Sequence, residues 1–566
     1  MELERLPSLL DCLDRAAEYQ GKGHRYLEGS GEGHTRFYAE LFLQTGGIQR
    51  RLLSLGLKRG DRLALIAPHA ADFVAVFLAG ALLGLVLVPL SPPPPTQRGR
   101  GYLDRVRAML RVAGTRALVA PQTLLPLMEG LESSNAVYAY EALSSTNVEP
   151  VAPTIAANLD GTCFLQFTSG STGDPKGVVI THRKLAANSR AIMVDGIGGI
   201  SSDDVGVSWL PLFHDMGLIG KLLAPLIYPT QMVYLSTYAF IKNPNVWLDT
   251  VSRYRGTISF GPNFAFALAT RHFIKRPRVL DLSSLRVLGC GAEPINPEVL
   301  ERFCQCFEPH GLSRAAVMPS YGMAEATLAV SFDSRLRPFR TLAIERHAYE
   351  SERRVRPPLS DHRAAQVLRL VGCGRCFPGH EIAIVGSDGQ HLPERQVGEI
   401  AVRGPSVADG YYANETASAQ CFVGGWLHTG DLGFLDDGEL FVSGRIKDLI
   451  IVNGRNYYPQ DLEWVVERVP GVRSGAIAAF SVPDAQTERV VVVAEYKPAD
   501  GTDARQLIRQ SLQQEIGIAV DHVVLVPAGG VPKSTSGKVQ RRRTRQLYLD
   551  GHYAEVEAMA EAVLES

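Results

Sequence analysis

The chain has 566 residues, of which 45% are hydrophobic and 21% charged, and its formal net charge is -1. That length exceeds one compact core, so two or more domains are expected, and the composition is ordinary for a soluble globular enzyme. The near-zero charge excludes an overall electrostatic bias toward nucleic acid or acidic membrane, and the eight cysteines are too scattered for a disulfide framework, which points to a reducing, cytoplasmic setting.

No signal-peptide pattern opens Met1-Glu2-Leu3-Glu4. The stretch from Phe73 to Leu90 runs 18 residues without a charge, which only just reaches the length of a membrane span. It lacks polar anchors and a second span, and reads better as two buried elements: a helix stopping near Gly84 and a strand from Leu85 to Val88. With the strand-like run from Arg62 to Ala67 before it, the whole predicts a β-α-β unit, and no integral membrane contact is expected. Ser91-Pro92-Pro93-Pro94-Pro95 reads as a stiff surface connection.

Short β-like runs then alternate with helical patterns: Thr162 to Phe167, Val207 to Leu210, Thr257 to Phe260, Arg286 to Leu288 and Ala315 to Val317. That spacing predicts layered α/β structure. Cys373-Gly374-Arg375-Cys376 has the spacing of a redox or zinc pair, but Cys304-Gln305-Cys306 is a poor second pair, so the thiols read as incidental. Val397 to Arg403 and Glu439 to Ser443 read as antiparallel strands. After Arg445 a smaller pattern begins: helices at Leu462 to Val469 and Ala504 to Gln514, and strands at Ala476 to Phe480, Val490 to Tyr496 and Val523 to Val526. A large domain over 1–444 and a small α+β domain over 445–566 are expected.

The richest stretch for chemistry runs from Phe167 to Gly177 and contains Thr168, Ser169, Gly170, Ser171, Thr172, Gly173 and Lys176. Dense glycines and hydroxyls present N–H and O–H donors to phosphate oxygens. The stretch is not a Walker A loop, because Lys176 is followed by glycine and both flanks are strand-like; a plain flexible turn is the competing reading. Further along stand Pro211-Leu212-Phe213-His214-Asp215-Met216-Gly217, Gly289-Cys290-Gly291-Ala292-Glu293-Pro294 and Ser320-Tyr321-Gly322-Met323-Ala324-Glu325. Trp426-Leu427-His428-Thr429-Gly430-Asp431-Leu432-Gly433, Gly444-Arg445-Ile446-Lys447-Asp448 and Lys533-Ser534-Thr535-Ser536-Gly537-Lys538 follow.

In this order the motifs resemble those of the adenylate-forming superfamily of acyl-CoA synthetases, luciferases, peptide-synthetase adenylation domains and fatty acyl-AMP ligases. The resemblance covers nearly the whole chain and implies an α/β fold, with a large multi-subdomain adenylation domain followed by a small mobile one. It implies that ATP is held by the residues from Thr168 to Gly173, by Lys176, and by Gly291, Ala292, Glu293, Ser320, Gly322 and Met323. Tyr321 resembles the adenine platform, and Asp431 the ribose-binding carboxylate assisted by Arg445. Glu325, with Thr168, resembles the Mg2+ site, since hard oxygen ligands suit that ion. Lys538 resembles the catalytic lysine that offsets charge on the transferring phosphoryl group. His214 matches a catalytic-site residue at the acyl pocket that helps orient the carboxylate or admit the thiol, although a lone histidine also reads as structural, and Lys447 matches the hinge. Singly, Tyr321 reads equally as core, Asp431 as a turn former, Glu325 as a helix cap and Lys447 as a surface lysine.

Lys533, Lys538, Arg541, Arg542, Arg543 and Arg545 form a basic cluster without interleaved aromatics, so no nucleic-acid partner is expected; some of these arginines are expected to meet an acidic carrier protein. The wording FHDMGLIG, CGAEPI, YGMAEATL and NGRNYYPQDLE resembles the fatty acyl-AMP ligase branch. So does the spacing: residues 326 to 373, 48 positions, separate Glu325 from Gly374, room for the charged insertion (about 335–370) which that branch carries. The resemblance therefore implies a medium- to long-chain fatty acid substrate and an acyl carrier protein with a phosphopantetheine arm. An acyl-CoA synthetase and a catalytically silent lipid-binding scaffold remain open beside it.

Overall fold

The computed structural model describes residues 12, 16–19, 21–27, 33–93, 100–131, 135–143, 158–168, 175–452, 454–483, 488–498, 503–534 and 537–554. Two largely parallel sheets form its main body. One has six strands, in the order Ala136–Ala139, Ala117–Ala120, Arg62–Ile66, Val86–Leu90, Thr162–Thr168 and Lys176–Thr181, with only the last pair antiparallel. The other has nine strands, and its parallel centre runs Val317–Gly322, Val287–Cys290, Ile258–Gly261, Val205–Ser208 and Gln231–Tyr234. Between the sheets, helix Ala70–Leu82 is buried along Phe73, Phe77 and Leu78, in one apolar cluster with Phe164, Leu222 and Met232.

The β-α-β unit is present, and its apolar 18-residue run is a core helix and strand. No helix among the described residues is long and apolar enough to cross a membrane. Gly80 explains why helix and strand approach so closely: a Cβ there would sit 2.9 Å from Leu87 Cδ1. The strand extends beyond the expected Val88 through Pro89 to Leu90. Proline is tolerated because the ladder to Thr162–Thr168 is made at Leu87–Phe164, before Pro89 is reached.

A third, antiparallel sheet contains Gly398–Arg403, Trp426–Asp436 and Glu439–Arg445. The middle strand was expected only as motif and turn. From Arg445 the chain crosses the short turn Ile446–Asp448 into a small α+β unit. There Val472–Pro483, Glu488–Tyr496 and His522–Val526 pair, flanked by helices Pro459–Val466, Ala504–Glu515 and Arg541–Leu549. Its own core centres on Leu462, Val466, Val492 and Ile508.

The insertion is structured. Thr341–Glu345 pairs with Val367–Val371, and helix Arg346–Glu352 lies between them in sequence. All eight cysteines are free thiols, and no group of three or more His, Cys, Asp or Glu among the described residues gathers to hold a metal.

Candidate active site

One cleft of about 3640 Å³ runs between the two parallel sheets, the antiparallel sheet and the small unit. A single ligand pocket is typically about 300–1,000 Å³, so this space exceeds one small-molecule site. Thr168, Lys176, His214, Ala292, Glu293, Ser320, Tyr321, Gly322, Met323, Glu325, Asp431, Arg445, Lys447 and Lys538 all line it. Gly291 underlies the wall, where a Cβ would lie 2.6 Å from Ser320 Oγ. Ala292 beside it takes the left-handed φ of 70°, a conformation in which a non-glycine residue is strained. Ser169, Gly170, Ser171, Thr172 and Gly173 lie outside the described residues, although the strands expected on both flanks of their loop are present and pair antiparallel.

Strand register builds the centre of the site. Asp431 and Arg445 are direct partners across the Trp426–Asp436 and Glu439–Arg445 ladder. Arg445 Nε donates to Asp431 Oδ1 at 2.8 Å, and the Tyr321 hydroxyl donates to Asp431 Oδ2 at 2.8 Å. A carboxylate has about four acceptor positions, so Asp431 retains capacity for further donors. Burial first, and then the Asp431 charge, push the Tyr321 phenol far above its usual value, so it stays a donor.

Glu325 sits on a 3₁₀ turn, Ala324–Ala326, and is buried. Tyr411 donates its hydroxyl to Glu325 Oε1 at 2.9 Å, and Lys176 Nζ stands 5.0 Å from the centre of the Tyr411 ring. Burial raises the Glu325 pKa, while the Tyr411 hydrogen bond opposes that rise. Sequence reasoning missed Tyr411. The same segment ties down the phosphate hairpin, with Tyr412 N–H donating to Gly177 O at 2.7 Å. Two further residues were missed. Gln166 donates to Phe213 O at 3.1 Å and so holds the segment entering His214. Glu399 accepts from Gly430 N–H at 2.9 Å and lies 2.9 Å from His428 Nδ1.

Lys538 enters from the small unit. It lines the cleft together with His214, Asp215 and Glu293. Burial, then Lys538, holds the His214 pKa down at about 3, so the imidazole is neutral at ordinary pH. Asp215 and Glu293 are raised by burial and pulled back by Lys538, among other groups. Glu293 also accepts from Phe264 N–H at 2.6 Å. The Phe264 ring faces Gly537, whose Cβ position would lie 3.2 Å away. Lys447 is exposed on the turn joining the two units. The arginines following Lys538 are largely engaged within the chain: Arg541 grips Glu463 with two bonds of 2.6 Å, Arg542 bonds Asp448, and Arg545 bonds Ser481 O. Arg543 stays exposed.

Fold and site together define an adenylate-forming enzyme, a class that uses ATP. A family model described as AMP-binding enzyme matches residues 13–412, and one described as Disco-interacting protein 2-like, AMP domain, matches residues 447–558. The chain is 37% identical to a putative acyl-CoA synthetase of Caulobacter vibrioides, over 97% of this chain and 96% of that protein. It is 36% identical to a medium-chain-fatty-acid–acyl-carrier-protein ligase of Moorena producens, over 100% of this chain and 99% of that one. A structure solved in a study of fatty acyl-adenylate ligases from E. coli and L. pneumophila matches with a TM-score of 0.89 at 35% identity, covering 98% of this chain and 100% of that one. The chain belongs to the AMP-binding enzyme family. The expected likeness to its fatty acyl-AMP ligase branch is borne out.

Proposed function

We propose that the protein joins a medium- to long-chain fatty acid to AMP at the expense of ATP, releases pyrophosphate, and passes the acyl group to the phosphopantetheine thiol of an acyl carrier protein. The presence of Lys538 in one cleft with His214, Asp215 and Glu293 carries this reading. In the first step a carboxylate oxygen attacks the α-phosphorus and the bond to the β-phosphate oxygen breaks. Charge accumulates where two anions meet, and a lysine held there stabilises that transition state. Neutral His214 orients the incoming carboxylate without acting as a base. Tyr321 serves as the adenine platform, and Asp431, steadied by Arg445, accepts the ribose hydroxyls. In the second step the thiol sulfur attacks the acyl carbon and AMP leaves.

Glu325 and the Thr168 hydroxyl are a suitable oxygen pair for Mg2+, an ion commonly held by one or two carboxylates and substrate phosphates. Bound there, Mg2+ supplies further charge stabilisation at the phosphates.

The insertion supports a carrier thiol over free coenzyme A. Glu350, in helix Arg346–Glu352, is buried and binds Arg455 of the small unit through Nε at 2.7 Å and Nη2 at 2.6 Å. Asn456 donates to Glu350 O at 2.7 Å, and Tyr349 lies against Tyr458, with ring centres 5.2 Å apart. The insertion is also anchored to the third sheet, where Arg340 pairs with Asp436 and Glu439. It thereby restrains rotation of the small unit about Lys447. A second reading, an acyl-CoA synthetase, is favoured by the name of the Caulobacter vibrioides relative. The silent scaffold fares worse, because Lys538, Glu325 and Asp431 all face one cleft.

The test is mass spectrometry of acyl-adenylates formed from mixed fatty acids and ATP, with free coenzyme A or a holo carrier protein added afterwards. Acyl transfer to the carrier but not to coenzyme A is expected. Efficient acyl-CoA formation would instead establish the synthetase reading.

A further inference from the structure

Lys221 lies seven residues beyond His214, in the π-helical turn Ile219–Leu223, the kind of helix irregularity that is frequent at functional sites. At 1.5 Å per residue the separation along the axis is on the order of 10 Å. The residue is 4% exposed, yet it lines the same cleft, to which Met193, Met232, Ile258 and Phe332 also contribute. Its Nζ stands 4.1 Å from the centre of the Phe260 ring. Among the described residues it has no salt-bridge or hydrogen-bond partner. The main chain at this point is pinned, because the Tyr234 hydroxyl donates to Lys221 O at 2.7 Å. Burial holds the amine near pKa 7, with no carboxylate to oppose it.

A buried amine set over an aromatic ring, with no hydrogen-bond or ion-pair partner among the described residues, carries a desolvation penalty. A plain hydrocarbon chain reaching it leaves that penalty in place. An oxygen acceptor on the chain removes it, and a carboxylate does so most strongly, through a charge-assisted hydrogen bond.

We propose that Lys221 makes the inner end of the acyl cavity polar and selects acids bearing a second oxygen acceptor, a carboxylate above all, at the end remote from the activated carboxyl. This rests on the acyl-activating reading of the site. No bond is made or broken at Lys221, so it is a specificity residue and takes no part in catalysis. Sites built to hydrogen-bond a substrate group discriminate far more strongly than apolar pockets do, so a clear difference in kcat/KM is expected.

The experiment compares alkanoic, ω-hydroxyalkanoic and α,ω-dioic acids of matched length, across a series of lengths, by pyrophosphate release from the full chain and from Lys221→Met. At lengths that reach Lys221, the native enzyme is expected to favour the oxygen-terminated acid by about tenfold or more in kcat/KM, with the dioic acid ahead of the hydroxy acid. Lys221→Met reverses that order and leaves acids too short to reach the position unchanged, which also reports an intact fold. Should that variant fail to fold, Lys221→Gln keeps a donor without the charge, and is expected to lose the dioic preference while retaining the hydroxy one. The proposal is overturned if the native enzyme prefers plain alkanoic acids at every length, or if the ratios do not change on substitution. Pyrophosphate release from none of the acids would instead remove acyl activation itself, and this proposal with it.

Discussion

The nucleotide side of the cleft and the lysine side are built differently. Asp431 and Arg445 are set opposite each other by strand register in the antiparallel sheet, and Tyr321, on a strand of the nine-stranded sheet, reaches Asp431 through its hydroxyl. Lys538 reaches the cleft only because the small unit is docked, with Gly537 lying against Phe264. In the proposed two-step reaction one half receives the nucleotide and the other delivers the lysine, so that withdrawing the lysine for thiol entry need not disturb the nucleotide.

Substitutions can break the two halves separately. The largest effect is expected from Lys538→Ala. Adenylate formation should fall by about 10²–10³-fold, the usual loss for one preorganised charge-stabilising donor, while nucleotide affinity by calorimetry changes little. Asp431→Ala should do the reverse and weaken nucleotide binding, because Tyr321 and Arg445 lose the acceptor they share. Hydrogen bonds to charged groups contribute roughly 1.5–3 kcal/mol, so a loss of about tenfold or more in affinity is expected. Equal damage to binding and chemistry from both variants would mean that the halves are not separable.

Glu350→Gln tests the restraint on the delivered half. It leaves Arg455 and Arg346 without a charged partner, and breaking a buried pair costs about 3–5 kcal/mol. The small unit should become more susceptible to proteolysis, and free coenzyme A a better acceptor. Unchanged protease sensitivity would count against the insertion as a restraint. A smaller effect is expected from Gly537→Ala. Gly537 has φ of 86°, and a side chain in the left-handed region costs about 1–2 kcal/mol. That cost should lower the adenylation rate by about tenfold without altering nucleotide affinity. Lys221 supplies a pH signature as well. Its folded pKa, near 7, lies below the ordinary lysine value of 10.5, so between those values the unfolded chain binds the extra proton and stability rises with pH. Lys221→Met should flatten that slope in thermal melts taken from pH 7 to 10.

Motif residues close together in sequence were legible there, and so was the alternation of strands and helices. What stayed hidden depends on partners far away in the chain. Tyr411 stands 86 residues from Glu325 and Gln166 stands 47 from Phe213, and neither has a local pattern that marks it. Strand Trp426–Asp436 was obscured because Asp431 read as a turn former, and Gly430 beside it does adopt φ of 71° within the strand. The insertion was legible in the sequence as a charged segment of extra length between Glu325 and Gly374. Its buried Glu350 became visible only against Arg455, since burial of a charge depends on a tertiary partner.

The most direct measurement is ATP–pyrophosphate exchange, with fatty acids and amino acids tested side by side on the intact enzyme. Exchange stimulated by fatty acids and not by amino acids is the predicted result; stimulation by amino acids alone, or by neither, would contradict fatty acid adenylation as the reaction of this site.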